Sequence, residues 1–313
     1  MNTGFALVFP GQGSQKIGML AELEANHSLV SETFAEASAE LGYDLWHLCQ
    51  QGAAEDIGMT ERTQPLLLTA SVALWRLWQH LGGPRPNLLA GHSLGEWSAL
   101  VCAGVVDFTD AVALVRKRGA YMQEAVPVGV GAMAAVMGLD DASVVRCCAA
   151  AAADEVVLPV NYNAPGQVVI AGHAAAVGRA IEACRAAGAK RALPLPVSAP
   201  FHTPLMRPAA ERLAADIAAT RFSAPEIPVI HNVHARTEAD PATIQQLMVE
   251  QIFSPVRWVD CVTALAAAGV RLTVECGTGK VLSGLNRRIV DTLTTCATED
   301  AASLAAALDA VRE

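Results

Sequence analysis

Gly91-His92-Ser93-Leu94-Gly95 constrains this chain more than any other stretch, because of what flanks it. Before it, Pro86-Asn87-Leu88-Leu89-Ala90 is a short apolar run behind a turn signal and predicts a buried strand. After it, Glu96-Trp97-Ser98-Ala99-Leu100-Val101-Cys102-Ala103 predicts a helix closed by Gly104. A serine on so sharp a strand-to-helix turn holds its hydroxyl in the open at the end of a sheet. The flanking glycines let neighbouring backbone pass close by, and the helix start leaves a free N–H beside the hydroxyl. The five-residue pattern recurs by chance; the strand before and the helix after make Ser93 a candidate nucleophile rather than an ordinary turn serine.

With 313 residues the chain can build one large domain or two unequal ones. Hydrophobic residues at 52% and charged ones at 17% describe a globular, core-rich protein. The run from Met1 to Pro10 has no positive flank and too short an apolar stretch for a signal peptide, and no segment is long enough to span a bilayer. Eight cysteines are scattered without ligand spacing, which predicts reduced thiols in a cytoplasmic protein. A net charge of −9 argues against nucleic acid or a membrane as partner.

Phe5-Ala6-Leu7-Val8-Phe9 predicts a first strand, followed by the turn Gly11-Gln12-Gly13. A dinucleotide fingerprint fails there, because its third glycine would fall on Lys16; exposed N–H groups facing an anion formed during catalysis remain possible. Gly277-Thr278-Gly279-Lys280 fails as a phosphate loop, with Val274 at the upstream glycine position and Val281 after the lysine. A long helix is expected from Thr63, as cap, to about Gln79, with Pro65 in its first turn. Its buried stripe is Leu67, Ala70, Leu74 and Leu77. The next helix, after Asp107, places Ala111, Leu114, Val115, Tyr121, Met122 and Ala125 on one face with Arg118 in the middle. A buried arginine needs an anionic partner or must snorkel. Periodicity alone leaves open an internal salt bridge, a snorkelling side chain and an anionic ligand.

Between a hinge at Pro127–Gly131 and an exit at Ser198-Ala199-Pro200, the pattern reads strand, helix, strand, strand, helix, strand. The strands are expected at 132–137, 156–161, 167–170 and 191–197, with helices after Asp140 and over 174–187. That is the ferredoxin-like α+β order. His202 follows between Pro200 and Pro204, a loop position suited to a catalytic or a merely solvated histidine. The remaining chain predicts a helix from Thr203 to about Thr220, a strand 227–232, a helix through Gln251, a helix 258–268 and a strand 270–276. The fold class is therefore α/β: a large domain (1–126 and 200–313) with a mostly parallel sheet covered by helices, and an inserted small domain (127–199). His231 and His234 lack a third ligand, so no metal is expected.

A serine hydroxyl needs a base, and His202 suits that role better than His92, whose side chain on an elbow points away from the serine. The N–H of Leu94 is a natural oxyanion donor, with a second available from the Gly11-Gln12-Gly13 turn. Spacing identifies no orienting acceptor for the histidine.

Several motifs occur in order over nearly the whole chain: Phe9-Pro10-Gly11-Gln12-Gly13-Ser14-Gln15, Thr63-Gln64-Pro65, Gly91-His92-Ser93-Leu94-Gly95-Glu96, Arg118-Gly119, Asn163-Ala164-Pro165-Gly166-Gln167, Pro200-Phe201-His202 and Gly279-Lys280-Val281-Leu282. Together they resemble the signature set of malonyl-CoA:acyl carrier protein transacylases, and the bacterial fatty-acid enzymes more than polyketide synthase domains. The resemblance implies a hydrolase-like large domain and a site in the cleft beside the insert. It implies Ser93 as the acylated nucleophile, His202 as base, the Gln251 main-chain carbonyl as its orienter, and the N–H groups of Gln12 and Leu94 as oxyanion hole. It further implies Arg118 as clamp for the malonyl carboxylate, Gln64 and Asn232 as pocket residues, and a monomer. Malonyl-CoA and acyl carrier protein are the implied partners. No cofactor is implied, since coenzyme A and phosphopantetheine are parts of the substrates. Trp97 and Cys276-Gly277-Thr278-Gly279 depart from the usual pattern in ways that touch packing. An acidic carrier needs basic side chains to meet; Lys190, Arg191, Lys280, Arg287 and Arg288 are candidates by position. A serine esterase and an inactive carrier-binding scaffold are the rival readings, the second weakened by an intact Ser93, His202 and Arg118.

Overall fold

Strand β1 (Gly4–Phe9) is buried on both faces from Phe5 onward, as its unbroken apolar run requires. It lies at the centre of a five-stranded sheet with β2 (Leu88–Gly91), β7 (Val229–Ile230), β8 (Val270–Glu275) and β9 (Thr294–Ala297). The order is β7-β2-β1-β8-β9 and every pairing is parallel. The computed structural model describes residues 4–197 and 199–312. The expected exit from the insert at Ser198 and the first three residues of the amino-terminal run lie outside them.

A second sheet, β3 (Gly131–Met137), β4 (Val157–Ala164), β5 (Gln167–His173) and β6 (Arg191–Pro194), is antiparallel in the order β4-β5-β3-β6. Helices Asp141–Ala152 and Ala174–Ala186 cover one face, and Val136, Val144, Cys148, Val168, Ile170, Val177 and Ile181 form a core there. Strand side chains alternate, so Met133, Val169 and Ala171 point the other way and join the core of the parallel sheet. Strand β4 is also tied to the large sheet's side by main-chain bonds, Tyr162 N–H to the Val256 carbonyl and Val256 N–H to that of Val160. One face of the small sheet thus becomes a wall above the elbow.

Several expectations shift. The long helix runs Thr60–His80, three residues earlier than its expected start. Thr63 does not cap it: its hydroxyl donates back to the carbonyls of Ile57 and Met59, and Pro65 sits inside the helix. Every residue from Thr63 to Trp78 except Arg76 is buried, so the helix is packed all round and carries no single stripe. The segment after Thr203 opens as a 3-10 turn (Pro204–Met206) before the helix Arg207–Ala219, and the strand expected over 227–232 shortens to β7.

Candidate active site

The elbow is built by backbone contact. A Cβ on Gly91 would lie 2.0 Å from the Gly95 carbonyl, and one on Gly95 would lie 2.0 Å from the Phe9 carbonyl oxygen. Only glycines allow the Leu94–Cys102 helix to press against the ends of β1 and β2. Between them Ser93 is forced to a φ of 52°, a left-handed backbone unusual for serine. Asn232 braces it from below. Its Oδ1 accepts from the Ser93 N–H at 2.8 Å, and its Nδ2 donates to the Gly91 carbonyl at 2.7 Å.

His202 has a φ of 62° and reaches the elbow from the loop that follows the small sheet. Thr203 Oγ1 closes that loop on the Pro200 carbonyl at 2.7 Å. His202 Nε2 lies 2.8 Å from Ser93 Oγ, and Nδ1 lies 2.9 Å from the Gln251 carbonyl oxygen. A carbonyl only accepts, so Nδ1 carries the proton and Nε2 is left as the acceptor for the serine. Burial, and then the charge of Arg118, push the His202 pKa down to about 3. The ring is a neutral base throughout the physiological range. His92 turns away, its Nε2 2.8 Å from Asn163 Oδ1.

Arg118 is only 2% exposed. Its NH1 donates to Gln64 Oε1 at 2.8 Å, and its NH2 donates to Gln251 Oε1 at 2.9 Å and to Ser93 Oγ at 3.3 Å. No carboxylate among the described residues pairs with it, and Nε has no partner among them. Burial lowers its pKa to about 10, partly offset by the Glu96 carboxylate nearby. Of the readings periodicity left open, the internal salt bridge and the snorkelling side chain both fail. A buried cation held by two neutral amides keeps its charge unneutralised.

These groups border one cavity of about 140 Å³, lined by Gln12, Gln64, Ser93, Leu94, Arg118 and His202 from the large unit. Met133, Asn161, Leu195 and Val197 line it on the side of the small sheet. Leu94 is the first helical residue, and neither its N–H nor that of Gln12 has an acceptor among the described residues. Both residues border the cavity. Asn232, expected in the pocket, lies beneath the elbow instead, because both ends of its amide are engaged by backbone.

None of the five candidate docking cations lines the cavity. Lys280 pairs with Glu299 at 3.0 Å, and Lys280 and Arg287 line a separate hollow beside Thr295 and Cys296. Arg288 donates to Gln167 Oε1 at 2.5 Å; Gln167 and Arg191 both pair with Met137, so Arg191 and Arg288 share one end of the small sheet. Lys190 is exposed beside Gly138 at that end. The Gly279 N–H donates to Glu299 Oε2, so a carboxylate of the chain itself takes the place a phosphate would need. No cluster of metal-ligating side chains occurs among the described residues. Sequence reading missed Glu96, fully buried under the elbow, and the side chain of Gln251, which joins Glu96 to Arg118. A charged residue in a helix whose other side chains, Ser98 apart, are apolar was the available signal.

The acyl transferase domain model matches residues 6–305. The malonyl CoA-acyl carrier protein transacylase of Salmonella typhimurium is 61% identical over 306 residues, 98% of this chain and 99% of its own. That of Bacillus subtilis is 44% identical over 98% of this chain and 97% of its own. Among solved structures, the malonyl CoA-acyl carrier protein transacylase of Coxiella burnetii superposes with a TM-score of 0.99 at 47% identity, covering 100% of this chain and 99% of that one. A malonyl-transacylase solved in complex with a type II polyketide synthase acyl carrier protein superposes with a TM-score of 0.97 at 54% identity, covering 98% and 99%.

Proposed function

Since this chain belongs to the acyl transferase family, among its malonyl-CoA:acyl carrier protein transacylases, we infer that the cavity loads a malonyl group on Ser93. The protein is an S-malonyltransferase: it moves malonyl from malonyl-CoA to the phosphopantetheine thiol of acyl carrier protein and supplies fatty-acid synthesis. The steps assigned to individual residues follow from their chemistry. His202 Nε2 takes the Ser93 proton as Oγ attacks the thioester carbonyl, worth about 10²–10⁴-fold. The oxyanion is met by the N–H groups of Gln12 and Leu94, each worth on the order of 10²–10³-fold. The tetrahedral intermediate collapses, the carbon–sulfur bond breaks, and coenzyme A leaves with the proton from His202. The carrier thiol then repeats the steps in reverse, and Ser93 regains its proton.

Arg118 selects the acyl group. A guanidinium offers parallel donors to a carboxylate in a dry pocket, a geometry that lysine lacks. One observation carries this reading: Ser93 Oγ lies 2.8 Å from His202 Nε2 and 3.3 Å from Arg118 NH2, so base and anion receptor converge on one oxygen. Arg191, Arg288 and Lys190, gathered at one end of the small sheet, are the cations proposed to meet an acidic carrier. Docking of that kind is screened by salt, so the carrier KM rises steeply with ionic strength while malonyl-CoA loading changes little; a flat response removes the docking assignment. The contacts among Ser93, His202 and Arg118 are complete within one chain, so a monomer suffices for the reaction. Its eight free cysteines fit a reducing cytoplasm.

Incubation with malonyl-CoA tests the reading. A malonyl ester that persists in intact-mass spectra until a pantetheine thiol is added supports transfer. Rapid release of free malonate, with water resolving the ester, identifies a hydrolase instead.

A further inference from the structure

Three donors converge on one carboxylate that lies outside the cavity. Glu96 sits in the first turn of the Leu94–Cys102 helix and is fully buried. Its Oε1 accepts from His231 Nδ1 at 2.8 Å. Its Oε2 accepts from the Asn232 N–H at 3.1 Å and from Gln251 Nε2 at 2.7 Å. Gln251 Nε2 also donates to the Ser93 carbonyl, at 3.0 Å. With both amide hydrogens engaged, the Gln251 oxygen faces Arg118 and accepts from NH2 at 2.9 Å. A flipped amide would set its NH2 against guanidinium N–H groups and its oxygen against two other oxygens. The arrangement has one self-consistent solution.

We propose that Glu96 is a positioning residue for acyl selection: through the Gln251 amide it aims the Arg118 guanidinium at Ser93, so that malonyl is loaded in preference to uncharged acyl groups. This rests on the role given to Arg118 above. Two other roles for Glu96 carry different signatures. As a bare negative charge behind the pocket it would repel the malonyl carboxylate, and its removal would raise the preference for malonyl. As a brace of the elbow alone it would affect loading of every acyl group alike.

Two substitutions separate position from charge. Glu96→Asp keeps the charge and withdraws it by one methylene. That withdrawal loosens the carboxylate's hold on Gln251 Nε2. Glu96→Gln removes the charge. Its NH2 fits at the Oε1 position, where His231 turns an acceptor toward it by carrying its proton on Nε2, while the amide oxygen at the Oε2 position still accepts from the Asn232 N–H and from Gln251 Nε2.

The experiment is single-turnover loading of the full chain with malonyl-CoA and with acetyl-CoA, read as the ratio of the two rates. Glu96→Asp is expected to lower the malonyl-to-acetyl ratio by about tenfold, the scale of one hydrogen bond to a charged group, and Glu96→Gln, which keeps an acceptor for Gln251, to lower it less. Gln251→Met, which keeps the main-chain carbonyl on His202, is expected to lower it as much as Glu96→Asp. Adding Glu96→Asp to Gln251→Met should then change the ratio no further. A ratio that stays level or rises in Glu96→Asp, or an additive double variant, overturns the proposal, as does a fall in Glu96→Gln as large as that in Glu96→Asp. Should the Glu96 variants fail to fold, Gln251→Met decides alone, and an unchanged ratio overturns it. Arg118→Ala run alongside keeps the two claims apart. If it leaves the ratio unchanged, the role of Arg118 itself is wrong. If it collapses the ratio while the others do not, only the role of Glu96 is wrong.

Discussion

The two sides of the cavity differ in charge. On the reacting side, Ser93 and His202 are neutral at rest and sit on left-handed backbones; glycine-tight packing and the amides of Asn232 and Gln251 fix the Ser93 backbone, and one carbonyl fixes the His202 ring. On the selecting side, a buried cation is held by the side-chain amides of Gln64 and Gln251, with a carboxylate one residue further back. The contrast matches the tasks proposed for the two sides. A nucleophile and its base need fixed geometry at low charge; a receptor needs a charge left unneutralised until its ligand arrives.

The largest expected effect breaks the reacting side. Ser93→Ala should abolish the malonyl adduct in intact-mass spectra, for malonyl-CoA and acetyl-CoA alike. Next, His202→Ala should slow loading of both acyl groups by about 10²–10⁴-fold in rapid-quench kinetics. Arg118→Ala divides the two sides: malonyl loading falls by two orders of magnitude or so, on the scale of a paired charge lost, while acetyl loading falls far less. Equal losses would make the arginine structural. A test of the frame follows. Gly95→Ala drives a Cβ into the Phe9 carbonyl and should cost about 1–3 kcal/mol, read as a lower Tm.

The smallest effect is one of pH. The fold lowers the His202 pKa to about 3, below its ordinary value near 6.5. Acidification therefore protonates the unfolded chain first. The stability contributed by the neutral ring is complete above about pH 6.5 and is lost as pH falls toward 3. Malonyl loading measured by kcat/KM should likewise stay level down to about pH 5; a drop centred near 6.5 would show a base with an ordinary pKa.

The reacting side was legible in the sequence because its signals are local. Gly91, Ser93 and Gly95 lie within five residues, between an apolar run and a helix, and the split order of the small sheet shows in its turn at Ala164-Pro165-Gly166. The selecting side was half legible. Arg118 stood out from its helical face, but its partners come from Gln64 and Gln251, far away along the chain. Glu96 was overlooked for a related reason: an acid in a helix's first turn ordinarily reads as a solvated partner of the helix dipole. Its burial depends on donors from His231, Asn232 and Gln251. Strand β9 was missed because four mixed residues on a sheet edge carry no alternation, and the start of the long helix was misplaced because Thr63-Gln64-Pro65 imitates a cap. Long-range partners, rather than weak local preference, account for most of what had to wait for the fold.

The most direct test of the account is the structure of the malonyl-loaded protein, determined before any thiol is added. The account predicts an ester on Ser93 Oγ, its carbonyl oxygen on the N–H groups of Gln12 and Leu94, and its free carboxylate on the Arg118 guanidinium. A carboxylate turned to solvent, or an acyl group carried on another residue, would contradict it.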